Sequence, residues 1–232
     1  MEQPGGFELY QKNRRQLLRE AVASCGSFTS DQLERAFLTE SEAHYRIWRE
    51  EHRTLPAAER IGKILSHLEI CLPDEVTAEL INAYEENILE RRPVLVPGVR
   101  ETIERLSGSY RLGIISDVGF SPGRVLKQII SDAGLLDAFD SLVFSDEAGR
   151  SKPHIEVFER TSRSLSAAPS EIVHIGDLEF TDIVGAKNAG YYAIRFTGVT
   201  PMDEGEDTRA DYVTEDFYHV PEIVKMLESR NE

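Results

Sequence analysis

The sequence predicts an α/β protein: a mainly parallel sheet covered by helices, preceded by an all-helical block. Three observations carry that prediction. Residues 7–92 show helical periodicity only. From about residue 98 onward, short apolar runs alternate with helical patterns, as expected of parallel strands joined by helical crossovers. One of those runs, Ile172 to Ile175, stops at Gly176-Asp177 and gives way to a helical pattern. That is the layout in which open α/β sheets hold their ligand sites.

The helical block is built from four patterns. Phe7 to Cys25 is the first, with Gly26 as its stop. Ser30 precedes the second, in which Leu33, Ala36-Phe37, Ala43 and Ile47-Trp48 share a stripe. Pro56 opens the third, striped by Ile61, Ile64-Leu65 and Leu68. Pro73 opens the fourth, where Val76, Leu80, Tyr84 and Ile88 recur every four residues. Trp48 and Tyr84 are expected in the core rather than at a ligand site.

Two prolines and a glycine in the stretch Arg92 to Gly98 mark a linker or turn, which divides the chain into 7–92 and 93–232. Strands are predicted at 112–115, 141–144, 172–175, 192–196 and 211–214. Helices are predicted at 98–106, 125–133, 153–165, from near Asp182 to Gly190, and at 220–227. Residues 197–209 are acidic and contain glycine, and read as a surface loop.

Composition narrows the partners. The formal charge is −15, with 41 acidic against 26 basic residues. Such a surface repels nucleic acid and anionic membranes. The pair Arg91-Arg92 is too short to be a binding patch. No apolar run approaches the roughly 18 residues of a spanning helix. The start, Met1 to Gly6, lacks the basic and apolar parts of a signal peptide, so a cytoplasmic protein is expected. Cys25 and Cys71 make no disulfide framework and have no metal-ligand spacing; both fall on helical patterns and are expected as buried thiols.

Polar groups at three places would converge on one edge of the sheet. Ser116 follows Leu112-Gly113-Ile114-Ile115, Lys152 precedes Pro153, and Asp177 ends its strand. With Pro153 at the first helical position, Lys152 would lie at the N-cap, where backbone N–H groups and the helix dipole attract an anion. The Ser116 hydroxyl and the N–H groups after it would hold an anion's oxygens. Asp177 offers hard oxygen ligands, and Mg2+ needs only one or two carboxylates beside water and phosphate. Asp182, five residues on, would either cap its helix or face the same crevice. Each of these residues also has an ordinary role available, as turn former, cap or solvated lysine. His174, on the strand before Gly176-Asp177, is read as packing.

In order and spacing, this set resembles the haloacid dehalogenase-like hydrolases. The matching pieces are Ile114-Ile115-Ser116, Lys152-Pro153, and Gly176-Asp177 with Asp182, running into Gly185-Ala186 and Ala189-Gly190. The resemblance implies a Rossmann-like core over 93–232, with residues 7–92 as a mobile helical cap. It implies a Mg2+-dependent phosphatase acting on a small phosphorylated metabolite through a phospho-aspartate. Ser116 would bind the phosphate, and Lys152 would neutralise nucleophile and phosphoryl group. Asp177 would be a metal ligand, with Asp182 a further or supporting carboxylate. Asp117 stands where the family often has Asn, beside the phosphate, and a carboxylate there would repel a dianion unless protonated or paired.

One piece of the family pattern is missing. The family's first strand, central in the sheet, ends in Asp-x-Asp and supplies the nucleophile. This sequence contains no Asp-x-Asp and no strand-like run before residue 90. The chain is therefore expected to be truncated at its N-terminus and inactive as it stands. The gap could also be filled by another chain, or closed by direct pairing of the two flanking strands. The alternative function is a non-catalytic module that binds a phosphoryl ligand or a partner. A third reading has Asp177-bound Mg2+ activating water directly. Substrate identity and oligomeric state are not readable from the residues.

Overall fold

The computed structural model describes residues 6–23, 25–203 and 205–229, with the side chains of residues 6 and 7 excepted. The chain divides into two compact units. Among the described residues, one comprises residues 95–117 and 130–229; the other comprises residues 6–94 together with Val118–Ile129.

The second of these is helical. Its long helices are α1 (Gly6–Val22), α2 (Ser30–Arg46), α3 (Ala57–His67) and α4 (Asp74–Glu90). Thr29 starts α2 with a capping box: its side chain accepts from the Gln32 N–H, and the Gln32 side chain accepts from the Thr29 N–H. Past Arg46 the helix continues as a π-helical turn, Ile47–Glu51, and stops at His52 in the left-handed region. Pro56 and Pro73 stand immediately before α3 and α4. The predicted stripes meet in one cluster that includes Leu18, Leu33, Ile61, Ile64 and Tyr84, joined by Phe120. The Tyr84 hydroxyl donates to the Arg14 carbonyl at 2.7 Å and the Asn87 amide to the Tyr10 carbonyl at 3.0 Å, tying α4 to α1.

Both cysteines are exposed, which corrects the expectation of buried thiols. Cys25 lies beyond the end of α1 and Cys71 between α3 and α4, so neither rides on a packed stripe.

The remaining elements are α5 (Val99–Ser107), β1 (Gly113–Ser116), α6 (Gly123–Asp132), β2 (Ser141–Phe144), α7 (Ser145–Ala148), α8 (Ile155–Leu165), β3 (Val173–Gly176), α9 (Val184–Asn188), β4 (Tyr192–Phe196), β5 (Tyr212–Thr214) and α10 (Val220–Glu228). Every pairing between strands is parallel, and the expected α/β class is what the chain adopts. β4 shows why the strand has two buried faces. Ala193 joins a cluster with Phe158, Ile183 and Ala186, while Ile194 joins one with Leu106, Val220 and Leu227. Successive side chains point to opposite faces, so a doubly covered strand is apolar on both; the exception in β4 is Arg195, buried but within 3.5 Å of Glu179 and of Glu206. Each such Leu or Ile contributes about 1.5–3 kcal/mol on full burial.

The strands form two sheets rather than one. β1 pairs with β2, with Ser116 opposite Phe144; β3, β4 and β5 form the other, with Gly176 opposite Arg195. β1 and β3 do not pair with each other. Their burial reflects it: no residue of β1 or β3 is fully buried, whereas four of the five in β4 are. Direct pairing of β1 with β3 is therefore not how this sheet is completed.

Among the described residues, no helix is long and apolar enough to cross a membrane.

Candidate functional site

The strand ends of the α/β unit carry the polar groups that the sequence singled out. β1 ends in Ser116 and is followed by Asp117; β3 ends in Gly176 and is followed by Asp177. All four are partly accessible. Lys152 comes from the turn that precedes α8, and its peptide bond to Pro153 is cis. The helix begins two residues later than proline alone suggested. Its N-cap is His154, whose ring Nδ1 accepts from the Glu156 N–H at 3.3 Å. Lys152 is thus not at the cap: the imidazole takes that position, and Lys152 is left free to turn toward carboxylates.

Its nearest carboxylate is Asp182. The Lys152 ammonium donates to Asp182 Oδ1 at 2.5 Å, with the two side chains only 12% and 4% exposed. The His174 Nε2 lies 3.2 Å from the same oxygen. The other oxygen, Oδ2, accepts from the Leu178 N–H at 3.0 Å and from the Thr181 hydroxyl at 3.4 Å. Asp182 sits in a π-helical turn, Glu179–Ile183, that precedes α9. That turn presses its side chain against β3. A Cβ placed on Gly176 would fall 2.3 Å from the Asp182 Cβ, so glycine is the residue that permits the approach. Gly190, at φ 83°, supplies the left-handed residue after α9.

Asp117 turns back to the main chain of Lys152, whose N–H donates to its Oδ1 at 2.9 Å. The repulsion expected between Asp117 and a bound dianion is weakened by that donor and by the ammonium nearby. The Ser116 hydroxyl lies 3.5 Å from the Asp117 carbonyl. Asp177 accepts from the Thr200 hydroxyl at 2.5 Å through Oδ2.

The electrostatics are those of one ammonium among several carboxylates. Burial opposes the charge on Lys152, but Asp182, Asp117 and Asp177 outweigh it and hold its pKa above the ordinary lysine value. Burial likewise opposes ionisation of Asp182, and Lys152 with His174 outweighs it, leaving the carboxyl well below the usual carboxylate range. Three carboxylates face one ammonium, so the set carries a surplus of negative charge. A divalent cation would neutralise that surplus. Asp177 has an oxygen not engaged by Thr200, whereas both Asp182 oxygens already face protein donors. No cluster of three or more His, Cys, Asp or Glu side chains with metal-binding geometry occurs among the described residues. Mg2+ does not require one.

Two contacts of this set are not in the sequence reading, that of His174 with Asp182 and that of Thr200 with Asp177. His174 does pack, edge-on to Phe158 with ring centroids 5.5 Å apart, yet it also touches Asp182. Its place on the strand two residues before Gly176 was the available signal. Thr200 had no signal, because it lies in the stretch read as plain surface loop. That stretch is also tethered at its far end: the Thr208 hydroxyl and the Arg209 N–H both donate to Glu179. A cavity of about 600 Å³ lies elsewhere, on the helical unit, lined by Lys12, Arg15, Arg19 and Glu90 among others. Convergent chemistry, rather than concavity, is what marks the strand ends.

The parallel α/β core brings Lys152 together with Asp117, Asp177 and Asp182 beside its strand ends. A family model described as haloacid dehalogenase-like hydrolase matches residues 29–196, and the chain belongs to that family. Over 141 residues it is 33% identical to a glyceraldehyde 3-phosphate phosphatase of Pyrococcus furiosus, covering 59% of this chain and 55% of that protein. Over 120 residues it is 32% identical to a pyrimidine 5′-nucleotidase of Escherichia coli, covering 51% and 49%. The chain spans about half the length of these relatives. Among solved structures, a 2-haloacid dehalogenase from Pseudomonas syringae matches with TM-score 0.67 at 20% identity, covering 96% of this chain and 90% of that one. A HAD phosphatase from Thermococcus onnurineus matches with TM-score 0.65 at 22% identity, covering 94% and 89%. At those identities the structural likeness shows the fold alone.

Proposed function

We propose that this chain carries the phosphate-handling and Mg2+-binding part of a phosphatase for a small phosphorylated metabolite. The observation that carries the reading is the buried Lys152 ammonium held by Asp182 at the ends of parallel strands. Ser116 receives a phosphoryl oxygen, and Lys152 offsets the charge that builds on the group being transferred. Asp182, with His174, fixes the lysine in place rather than binding metal. Asp177, steadied by Thr200, holds Mg2+, which when bound supplies charge for the phosphate's remaining oxygens. The names of the sequence relatives favour a phosphate ester over an organohalide, because the dehalogenase likeness is one of fold. The helical unit, taken as residues 7–92 with Val118–Ile129, has the cap's part of choosing the substrate.

The nucleophile is proposed to lie on a strand outside these 232 residues. Two observations support that: the chain has no Asp-x-Asp, and β1 and β3 each keep one edge to which no described strand is bonded. On this reading the chain by itself does not turn over. The test is an assay with p-nitrophenyl phosphate and glyceraldehyde 3-phosphate, with and without Mg2+. The 232-residue chain should release no phosphate above background. A version extended in frame by an apolar strand ending in Asp-x-Asp should do so, and Lys152→Ala in that version should abolish it. Turnover by the unextended chain, lost in Asp177→Ala, would instead favour direct activation of water at Mg2+.

The same absence of Asp-x-Asp favours the second reading, a non-catalytic binder of phosphoryl ligands. It requires Mg2+-dependent thermal stabilisation by phosphate or vanadate, with no turnover in either version.

A further inference from the structure

The helical unit buries more positive than negative charge. Arg14 on α1 and Arg60 on α3 are 6% and 7% exposed, and Glu40 on α2 is 2% exposed. Glu40 belongs to Arg60. The guanidinium donates through Nε to Oε1 at 2.5 Å and through Nη2 to Oε2 at 3.0 Å, a two-pronged pair that uses both carboxylate oxygens. Arg14 has no such acceptor. Its Nε is buried without a hydrogen-bond partner, and it forms no ion pair with any described residue.

What holds Arg14 is an aromatic ring. Its guanidinium carbon lies 4.4 Å from the centroid of Phe120, and that of Arg60 lies 3.7 Å from the same centroid. Tyr84 meets Phe120 edge-on at 5.5 Å. Phe120 therefore supports two cations at once; Glu40 is hydrogen-bonded to Arg60 alone, although its charge also favours that of Arg14. Burial and Arg60 lower the Arg14 pKa to about 10, which leaves it charged at neutral pH. His44 adds no negative charge. Its Nδ1 is also buried without a partner, and burial together with Arg60 lowers its pKa to about 4.

A purely structural arginine would be expected to have its buried donors satisfied. Nor is Arg14 needed to anchor α1 through its side chain, since the Tyr84 hydroxyl holds its carbonyl directly. A buried donor left without a protein partner calls for an explanation, and a bound ion is one. A flat, two-pronged donor set suits an oxyanion.

We propose that Arg14, stacked on Phe120 beside the Arg60–Glu40 pair, is a recognition point for a small oxyanion, a carboxylate or a phosphate group, bound within the helical unit. The anion lies on the guanidinium edge of Arg14 and completes the charge balance of the cluster. Only residues of the helical unit take part, so the proposal stands apart from the phosphatase reading.

The test follows the Arg14 Nε–Hε resonance in the 15N-labelled full chain. The peak is assigned by its loss in Arg14→Met. Acetate, malonate and inorganic phosphate are titrated separately, without Mg2+ and at constant ionic strength. A saturable shift with either class of anion is expected, and the class that produces it separates a carboxylate ligand from a phosphate one. Thermal melts of the same samples should rise saturably in the wild type and in Lys152→Ala. The rise should be absent in Arg14→Met and need roughly tenfold more anion in Arg14→Lys, which keeps the charge but not the fork. Without anion, Arg14→Met should melt at or above the wild-type temperature, because an unmatched charge has been removed. An Arg14 resonance unmoved by all three anions overturns the proposal, as does a melting rise retained in Arg14→Met. A rise lost in Lys152→Ala but kept in Arg14→Met assigns the anion to the strand-end site and equally overturns it.

Discussion

Both units hold cations among packed side chains, and Lys152 and Arg14 are dealt with in opposite ways. In the α/β unit, the Lys152 ammonium meets Asp182 at 2.5 Å and is further stabilised by Asp117 and Asp177. The surplus there is negative. In the helical unit, Arg60 is paired with Glu40, Arg14 lies on a ring face with no ion pair of its own and only the more distant attraction of Glu40, and the surplus is positive. Removing a charge from water costs several kcal/mol per ion, which must be recovered from partners. The lysine recovers it within the protein and is locked. The arginine does not, and under the proposal above a ligand completes it. Burial alone does not mark a site; the sign and size of what is left uncompensated does.

The largest effect is expected at the matched cluster. Asp182→Ala would strip Lys152 of its closest partner and leave the Leu178 N–H without its side-chain acceptor. A loss of about 3–5 kcal/mol is expected in urea unfolding; a loss below 1 kcal/mol, about the worth of an exposed pair, would mean that the pair is solvated. Next comes the contact that seats Asp182. Gly176→Ala puts a methyl 2.3 Å from the Asp182 Cβ, so β3 and the π-helical turn must separate. An overpacking cost of about 1–3 kcal/mol should follow.

The third test is in the helical unit. Folded His44 stays neutral down to about pH 4, because burial and Arg60 oppose its protonation, whereas the unfolded chain binds that proton at the ordinary value of 6.5. Between those values the unfolded state holds the extra proton, so His44 makes stability fall as pH drops through the window and has no effect above it. His44 is partly accessible, and after screening the effect is at most about 1–2 kcal/mol. The difference in unfolding free energy between wild type and His44→Gln, measured from pH 7.5 to 4, should show the slope. A pH-independent difference would place a protonated His44 in the folded state.

The smallest effect is expected at Arg124, which donates to Asn82, Glu85 and Glu86 on the surface of the helical unit. Arg124→Ala should cost under about 1 kcal/mol, and less as salt is added. A larger loss would show that an exposed network here rivals the buried clusters.

Much of the fold was legible because side-chain period is a local property. The predicted strands at 141–144 and 192–196 coincide with β2 and β4, and those at 112–115, 172–175 and 211–214 fall within one residue of β1, β3 and β5. The approach of Lys152 to Asp117, Asp177 and Asp182 was legible too, through motif spacing. Their partners were not. Nothing in the sequence joins Thr200 to Asp177, or Glu40 to Arg60, because such pairs are set by which surfaces meet. Lys152 was placed at a helix cap because proline favours a first helical turn; His154, two residues on, took the cap through a ring nitrogen. Both thiols were expected in the core, from patterns that ran past the true helix ends.

By itself, then, the sequence determined which segments are strands and helices, which faces they bury, and which polar residues stand at strand ends. These follow from side-chain period, turn chemistry and short motifs, all written within a few residues. Only the tertiary structure decided which strands are neighbours and which charges find partners. A parallel strand's pattern says that both its faces are covered, not what lies along its edges. The separation of β1–β2 from β3–β4–β5, and the Arg14 left without a carboxylate, are properties of edges and contacts that no local pattern encodes.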